Sequence, residues 1–274
     1  MKRALVLGGA LAALAVASPA AAQVTVGWDA ALFSSYVWRG LHLTSKPVVQ
    51  PDLYVTIPLG KASVTAGGWG NIEIGKYNGT NDISEGGGQA GPDFTEFDWW
   101  GEIGIPVGVA TITGGATGYI FPNDFGLTKA NNTVEVYGKV ALDVPLSPKV
   151  SAYYDVDKVK GLYIEGSVAH GIPLGATTLT FGVLAGLSAG QEINTSKPNE
   201  LANFKESGLT HIDLSASAGF SAGPLSITPS VHLVHGRDEF TKFTNLNKKH
   251  DVKVWGGVTI SWSKAFGGEE EAAE

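Results

Sequence analysis

From residue 24 onward the chain repeats one pattern: apolar and polar side chains alternate with period two, and the apolar face carries no charge. Successive side chains of a strand point to opposite faces, whereas a helix would repeat every 3.6 residues. Over 24–38 the even positions (Val24, Val26, Trp28, Ala30, Leu32, Ser34, Tyr36, Trp38) form one mainly apolar face. The odd positions include Thr25, Asp29, Ser35 and, one step on, Arg39. Val49, Leu53, Val55 and Ile57 alternate with Gln50, Asp52 and Tyr54. Phe97, Trp99, Ile103 and Ile105 alternate with Glu96, Asp98, Trp100 and Glu102. The same rhythm recurs around 134–143, 150–157, 162–168, 178–188, 211–220 and 251–262. It is weakened by Gly or Pro at 63–71, 109–121 and 225–235, so twelve strands are expected.

The connections alternate too. Short Pro- or Gly-marked links at 58–60, 106–108, 145–148, 173–175 and 221–224 are interleaved with mostly longer polar ones at 40–47, 75–93, 122–132, 157–161, 190–208 and 236–250. An even strand count, short turns at one end and long loops at the other describe an all-β, 12-stranded antiparallel transmembrane β-barrel. Its short turns and both termini face the periplasm; its longer loops are extracellular. A soluble β-sandwich alternates in the same way. Against it stand the uncharged outward face, a leader sequence, and aromatics at strand ends. Trp28 and Trp38, ten residues apart on one face, would lie about 26 Å apart along the membrane normal, close to the ~25 Å apolar band of such barrels. Pro51 and Pro229 count the other way, because each removes a ladder donor from a sheet without edges.

The leader is Met1-Lys2-Arg3, an apolar stretch to Ala17 and an Ala20-Ala21-Ala22 cleavage site. The expected organisation is therefore a signal peptide at 1–22, the barrel at 23–262 and an acidic periplasmic tail at 263–274. The setting is the bacterial outer membrane, with its lipids and its insertion machinery as partners. A net charge of −7 gives no support for nucleic-acid binding, and the absence of cysteine excludes disulfides and thiolate metal sites. Charged residues are only 16% of the chain, against about 25% in soluble domains. A barrel explains this, since half of each strand must be uncharged.

Ser35-Tyr36-Val37-Trp38-Arg39-Gly40-Leu41, then Lys46-Pro47-Val48-Val49-Gln50-Pro51, then Gly67-Gly68-Trp69-Gly70, resemble the TorF-type family of bacterial outer-membrane porins over about residues 30–75. In that family an aromatic-Arg-Gly triplet ends the first strand, a Pro-x-x-Gln opens the second and a Trp-Gly follows on the third. The resemblance implies a porin-like protein and supplies neither a substrate nor catalytic residues. It marks Arg39 as a structural hub, because a buried guanidinium can donate to several carboxylates at once.

By parity the interior is acidic. Asp29, Asp52, Glu96, Asp98, Glu102, Glu135, Asp143, Asp155, Glu165 and Asp213 face Arg39, Lys139 and Lys253, with Trp100, Tyr137 and His211 also inside. Such a lumen favours small polar or cationic solutes, since charged rings set selectivity. The expected function is a passive porin-like channel. The alternative is a plugged, non-conducting structural or surface-binding barrel, closed by 75–93 or 190–208 folding inward. Filling of a small barrel by interlocking side chains competes with ligand contact at every inward position. No enzyme is expected: His211, Asp213 and Ser215 lie at ~6.6 Å steps along one strand, too far for a relay within it. No cofactor is expected, since there is no P-loop and no Gly-x-Gly-x-x-Gly. Clusters such as Asp93, Glu96 and Asp98 fit no EF-hand, so no metal site is expected either.

Overall fold

The computed structural model describes residues 23–75, 92–122, 131–175, 177–194, 196, 201–241 and 251–267, with the backbone of 243–245 and 248–250. The leader at 1–22 lies outside the described residues.

Twelve strands close into one antiparallel barrel. They are β1 (Val24–Phe33), β4 (Val48–Leu59), β5 (Ala62–Glu73), β6 (Asp93–Val107), β7 (Ala110–Ile120), β8 (Thr133–Leu142), β9 (Lys149–Asp155), β10 (Leu162–Leu174), β11 (Thr177–Ala189), β12 (Gly208–Ala218), β14 (Leu225–Gly236) and β17 (Val252–Phe266). Each pairs with the next, and β17 returns to β1, so no edge is left open. Among the described residues three further pieces accompany the barrel. β2 (Tyr36–Trp38) and β3 (Leu41–Thr44) form a separate hairpin, β13 (Phe220–Ala222) carries β12 on past Gly219, and β15 (Phe243–Asn245) pairs with β16 (Lys248–His250).

Polarity is inside out. Leu53 and Val254 are each 60% exposed on the outer wall, whereas Glu135 and Asp155 are 1% exposed inside. In water that arrangement would waste apolar burial. In a bilayer it is required, because the wall meets lipid and the backbone is satisfied by closure. Among the described residues no helix is long and apolar enough to cross a membrane; strands do the crossing. This is a bacterial outer-membrane barrel.

Several turns are set by glycine. Gly60, Gly108, Gly175 and Gly223 all take φ near +60°, the left-handed region that tight hairpin turns demand. Each awkward proline sits beside a gap in the ladder on one side, while its pairing with the other neighbour, Ala30 or Val258, continues. The β4–β5 register passes from Val49↔Ile72 to Asp52↔Trp69, with Pro51 in the interval. On β14, Pro229 falls between the end of the β12 ladder at Ser217↔Ser230 and the start of the β13 ladder at Phe220↔Ile227. A missing N–H costs little at such a gap.

Two expectations are corrected. The first strand does not run to residue 38. β1 stops at Phe33 and the chain turns inward, so Trp38 packs against Tyr119 in the lumen rather than marking a lipid boundary. Period two predicts the face of a residue only while the strand continues, and nothing in the alternation itself records the break at Ser34-Ser35. At the other end, β17 continues past Trp262 to Phe266, whose partner is Val24. The barrel therefore includes 263–266; residues 268–274 lie outside the described residues.

Candidate functional site

The hairpin β2–β3 is built from short alternating apolar runs around Arg39-Gly40, with φ of +50° and +80° at the two turn residues. Both central residues are left-handed, as in a type I′ turn, which suits glycine and strains arginine by roughly 1–2 kcal/mol. The strain is offset by what the turn delivers. The hairpin touches β6, β7, β8, β9, β10 and β12, which only an element inside the barrel can do.

Tyr36 donates to Glu96 of β6 at 2.9 Å and its ring meets Trp69 at 5.6 Å. Arg39 donates to both oxygens of Glu135 on β8, at 2.8 and 2.6 Å. Its guanidinium also lies 4.4, 4.6 and 4.3 Å from the rings of Trp38, Tyr153 and Tyr163. Tyr119 and Gln191 donate to the same carboxylate at 2.8 and 3.2 Å. A buried ion pair is tolerable only when its remaining hydrogen-bonding capacity is filled in this way. Gly40 lies against the imidazole of His211: a Cβ there would stand 2.5 Å from its Cγ. On β3, burial and then the charge of Lys253 push His42 down to about 4.

The described parts of the 190–208 connection also turn inward. Phe204 is fully buried and stacks on Tyr163 at 5.8 Å, and Asn203 donates to Gln191 at 3.0 Å. Of 75–93, residues 76–91 lie outside the described residues.

The hairpin separates two spaces. On the long-loop side is a mainly apolar cavity of about 370 Å³ between Trp38, Leu41, Phe121, Val159, Leu201 and Phe240. On the short-turn side is an open chamber of about 350 Å³ lined by Asp52, Trp69, Asp98, Trp100, Glu102, Thr117, Tyr137 and Lys139. There Trp100 Nε1 donates to Asp52 at 3.2 Å, while Tyr137 and Lys139 donate to Glu102 at 3.0 and 2.9 Å. Asp98 is 8% exposed, and its Oδ1 is buried without a hydrogen-bond partner.

Most of the remaining inward residues anticipated from sequence have defined contacts, but Asp143 does not face the lumen: β8 ends at Leu142 and Asp143 is exposed at the following turn. Asp155 accepts from Thr133 and from the backbone N–H groups of Asp157, Val159 and Lys160, so it caps the 156–160 turn. Glu165 accepts from Tyr153 at 3.3 Å. His211 and Asp213 go to separate partners, Thr210 Oγ1 at 3.0 Å and His232 at 3.1 Å, and His232 stacks on Trp255. Lys253 stands opposite Val234 on β14. The inward roles of Tyr36, Trp38, Gln191 and Phe204 were not foreseen. The Arg39-Gly40 pair between two short alternating runs was the available signal for an I′ hairpin. Among the described residues no group of three or more His, Asp or Glu side chains converges as a metal site.

No family model matches the sequence, and no curated protein matches it. Solved structures do match. LpxR from Salmonella typhimurium is 11% identical, covers 87% of this chain and 99% of its own, and superposes with a TM-score of 0.50. The KdgM porin is 11% identical over 87% and 98%, with a TM-score of 0.43. OccK8 (OprE) from Pseudomonas aeruginosa is 8% identical over 89% and 98%, with a TM-score of 0.37. At these identities the likeness is one of fold.

Proposed function

We propose that this barrel is a porin-like outer-membrane channel for small polar or cationic solutes, with a pore narrowed by the β2–β3 hairpin. The observation that carries the reading is the chamber below the hairpin, where Asp52, Asp98 and Glu102 face one base, Lys139. A low-dielectric wall focuses the field of such an excess, raising the local concentration of cations. The segment around Trp38-Arg39-Gly40 supports the reading through its resemblance to the TorF-type porin family. No step of this function requires catalysis.

The test is the reversal potential of single channels under a KCl gradient. Cation preference is expected in wild type, and a weaker preference in Asp98→Asn with Glu102→Gln. Anion preference in wild type would refute the acidic-pore reading.

A second reading is favoured by one observation, the hairpin's contacts across the lumen. It is a barrel held closed, with the cavity of about 370 Å³ above the hairpin serving as a surface-binding site. Shortening the hairpin separates the two: under the second reading conductance stays at zero until 35–44 is removed.

A further inference from the structure

We propose that the chamber beneath the hairpin is a binding site for a small organic cation carrying an ammonium group. The inference rests on the channel reading for its biological use, though not for its chemistry.

Register sets the site. Asp52, Trp69 and Asp98 lie directly opposite one another on β4, β5 and β6. One step toward the short turns, Trp100 lies over Gly67, where a Cβ would stand 2.7 Å from the indole. Tyr137 lies over Gly115 in the same manner, 2.5 Å from where a Cβ would be. Both rings therefore lie close against the wall at glycine positions on the facing strands.

The acceptors are unequal. Asp52 is occupied by Trp100, and Glu102 by Tyr137 and Lys139. Asp98 Oδ1 has no partner, and a buried acceptor left unsatisfied costs about 1–3 kcal/mol. A donor in the chamber would remove that cost once the Asp98 carboxyl turns this oxygen toward it.

The chamber already shows how it holds a cation. The Lys139 ammonium sits 4.3 Å from the centre of the Tyr137 ring while bonding Glu102 at 2.9 Å. Carboxylate plus aromatic face is the combination that holds ammonium groups. A bare metal ion is disfavoured, because the carboxylates do not converge on one point among the described residues. A cation with a carbon frame can span them, and about 350 Å³ accommodates a small solute.

The experiment is a titration of tryptophan fluorescence in purified, folded protein with 1,4-diaminobutane, using 1,4-butanediol as the neutral control. Saturable quenching by the diamine alone is expected. Asp98→Asn should weaken it several-fold, the weight of one hydrogen bond. Lys139→Met should strengthen it several-fold, because Glu102 and Tyr137 are released. Heat-modifiable migration establishes that each variant is folded; if Asp98→Asn does not fold, the gain in Lys139→Met decides. Equal response to diamine and diol, or a loss in Lys139→Met, would overturn the proposal. Binding without conductance overturns the channel reading and leaves the site standing. Cation-selective conductance without saturable binding does the reverse.

Discussion

Arg39 and Glu135, 96 residues apart in sequence, meet in two parallel hydrogen bonds of 2.8 and 2.6 Å inside the barrel, with side chains 6% and 1% exposed. This pair joins the tip of the hairpin to β8, and the first prediction concerns it. Arg39→Ala leaves a buried carboxylate without its charge partner, a change that costs about 3–5 kcal/mol. The hairpin is expected to leave the lumen while the barrel stays closed, so heat-modifiable migration is retained and conductance rises. Arg39→Lys should behave similarly, since an ammonium has no planar fork. The double variant Arg39→Leu with Glu135→Leu should be more stable to heat than either single change.

A separate prediction follows from Gly40. Its φ of +80° is unfavourable for any L side chain, and His211 occupies the space a Cβ would need. Gly40→Ala should raise conductance as Arg39→Ala does. Adding His211→Ala should recover part of the lost insertion, because it removes the clash while the backbone strain remains.

The dependence on pH comes from His42, held at about 4 against an ordinary 6.5 by burial and then by Lys253. The inserted hairpin binds this proton less readily than the released one. Insertion is therefore at full strength above about pH 6.5 and weakens as pH falls toward 4. Conductance should rise across that interval in wild type. In His42→Gln the rise should be smaller; an unchanged rise would assign it to other groups.

The last strand supplies a fourth prediction. Residues 263–266 pair with Gly27, Val26, Thr25 and Val24 and complete the seam between β17 and β1. A chain truncated after Phe266 should assemble and migrate as a folded barrel. A chain truncated after Trp262 loses those four pairings and should assemble poorly in the same gel assay.

The wall was legible in the sequence because one physical rule generates it. Lipid on one side and lumen on the other force alternation, and Leu53, Val55, Phe97 and Ile103 followed that rule across strands far apart in sequence. The lumen was legible only in composition. That Glu135 and Asp155 face inward follows from parity. That one holds a hairpin and the other caps a turn depends on chain paths outside the strands. Tyr36 and Trp38 show the limit most clearly: the pattern of β1 continues through them, but the strand does not. The glycines were legible as a surplus, and their purpose emerges only from register. Gly27 stands opposite Tyr54, Gly67 opposite Trp100 and Gly115 opposite Tyr137, each making room for a ring from the facing strand.

The most direct test of the account is planar-bilayer recording of the purified wild type beside a variant in which 35–44 is replaced by a short polar turn. Small, cation-preferring channels are expected in wild type and a severalfold larger conductance, still cation-preferring, in the variant. Absence of channels in both proteins, with each shown to be folded, would contradict it.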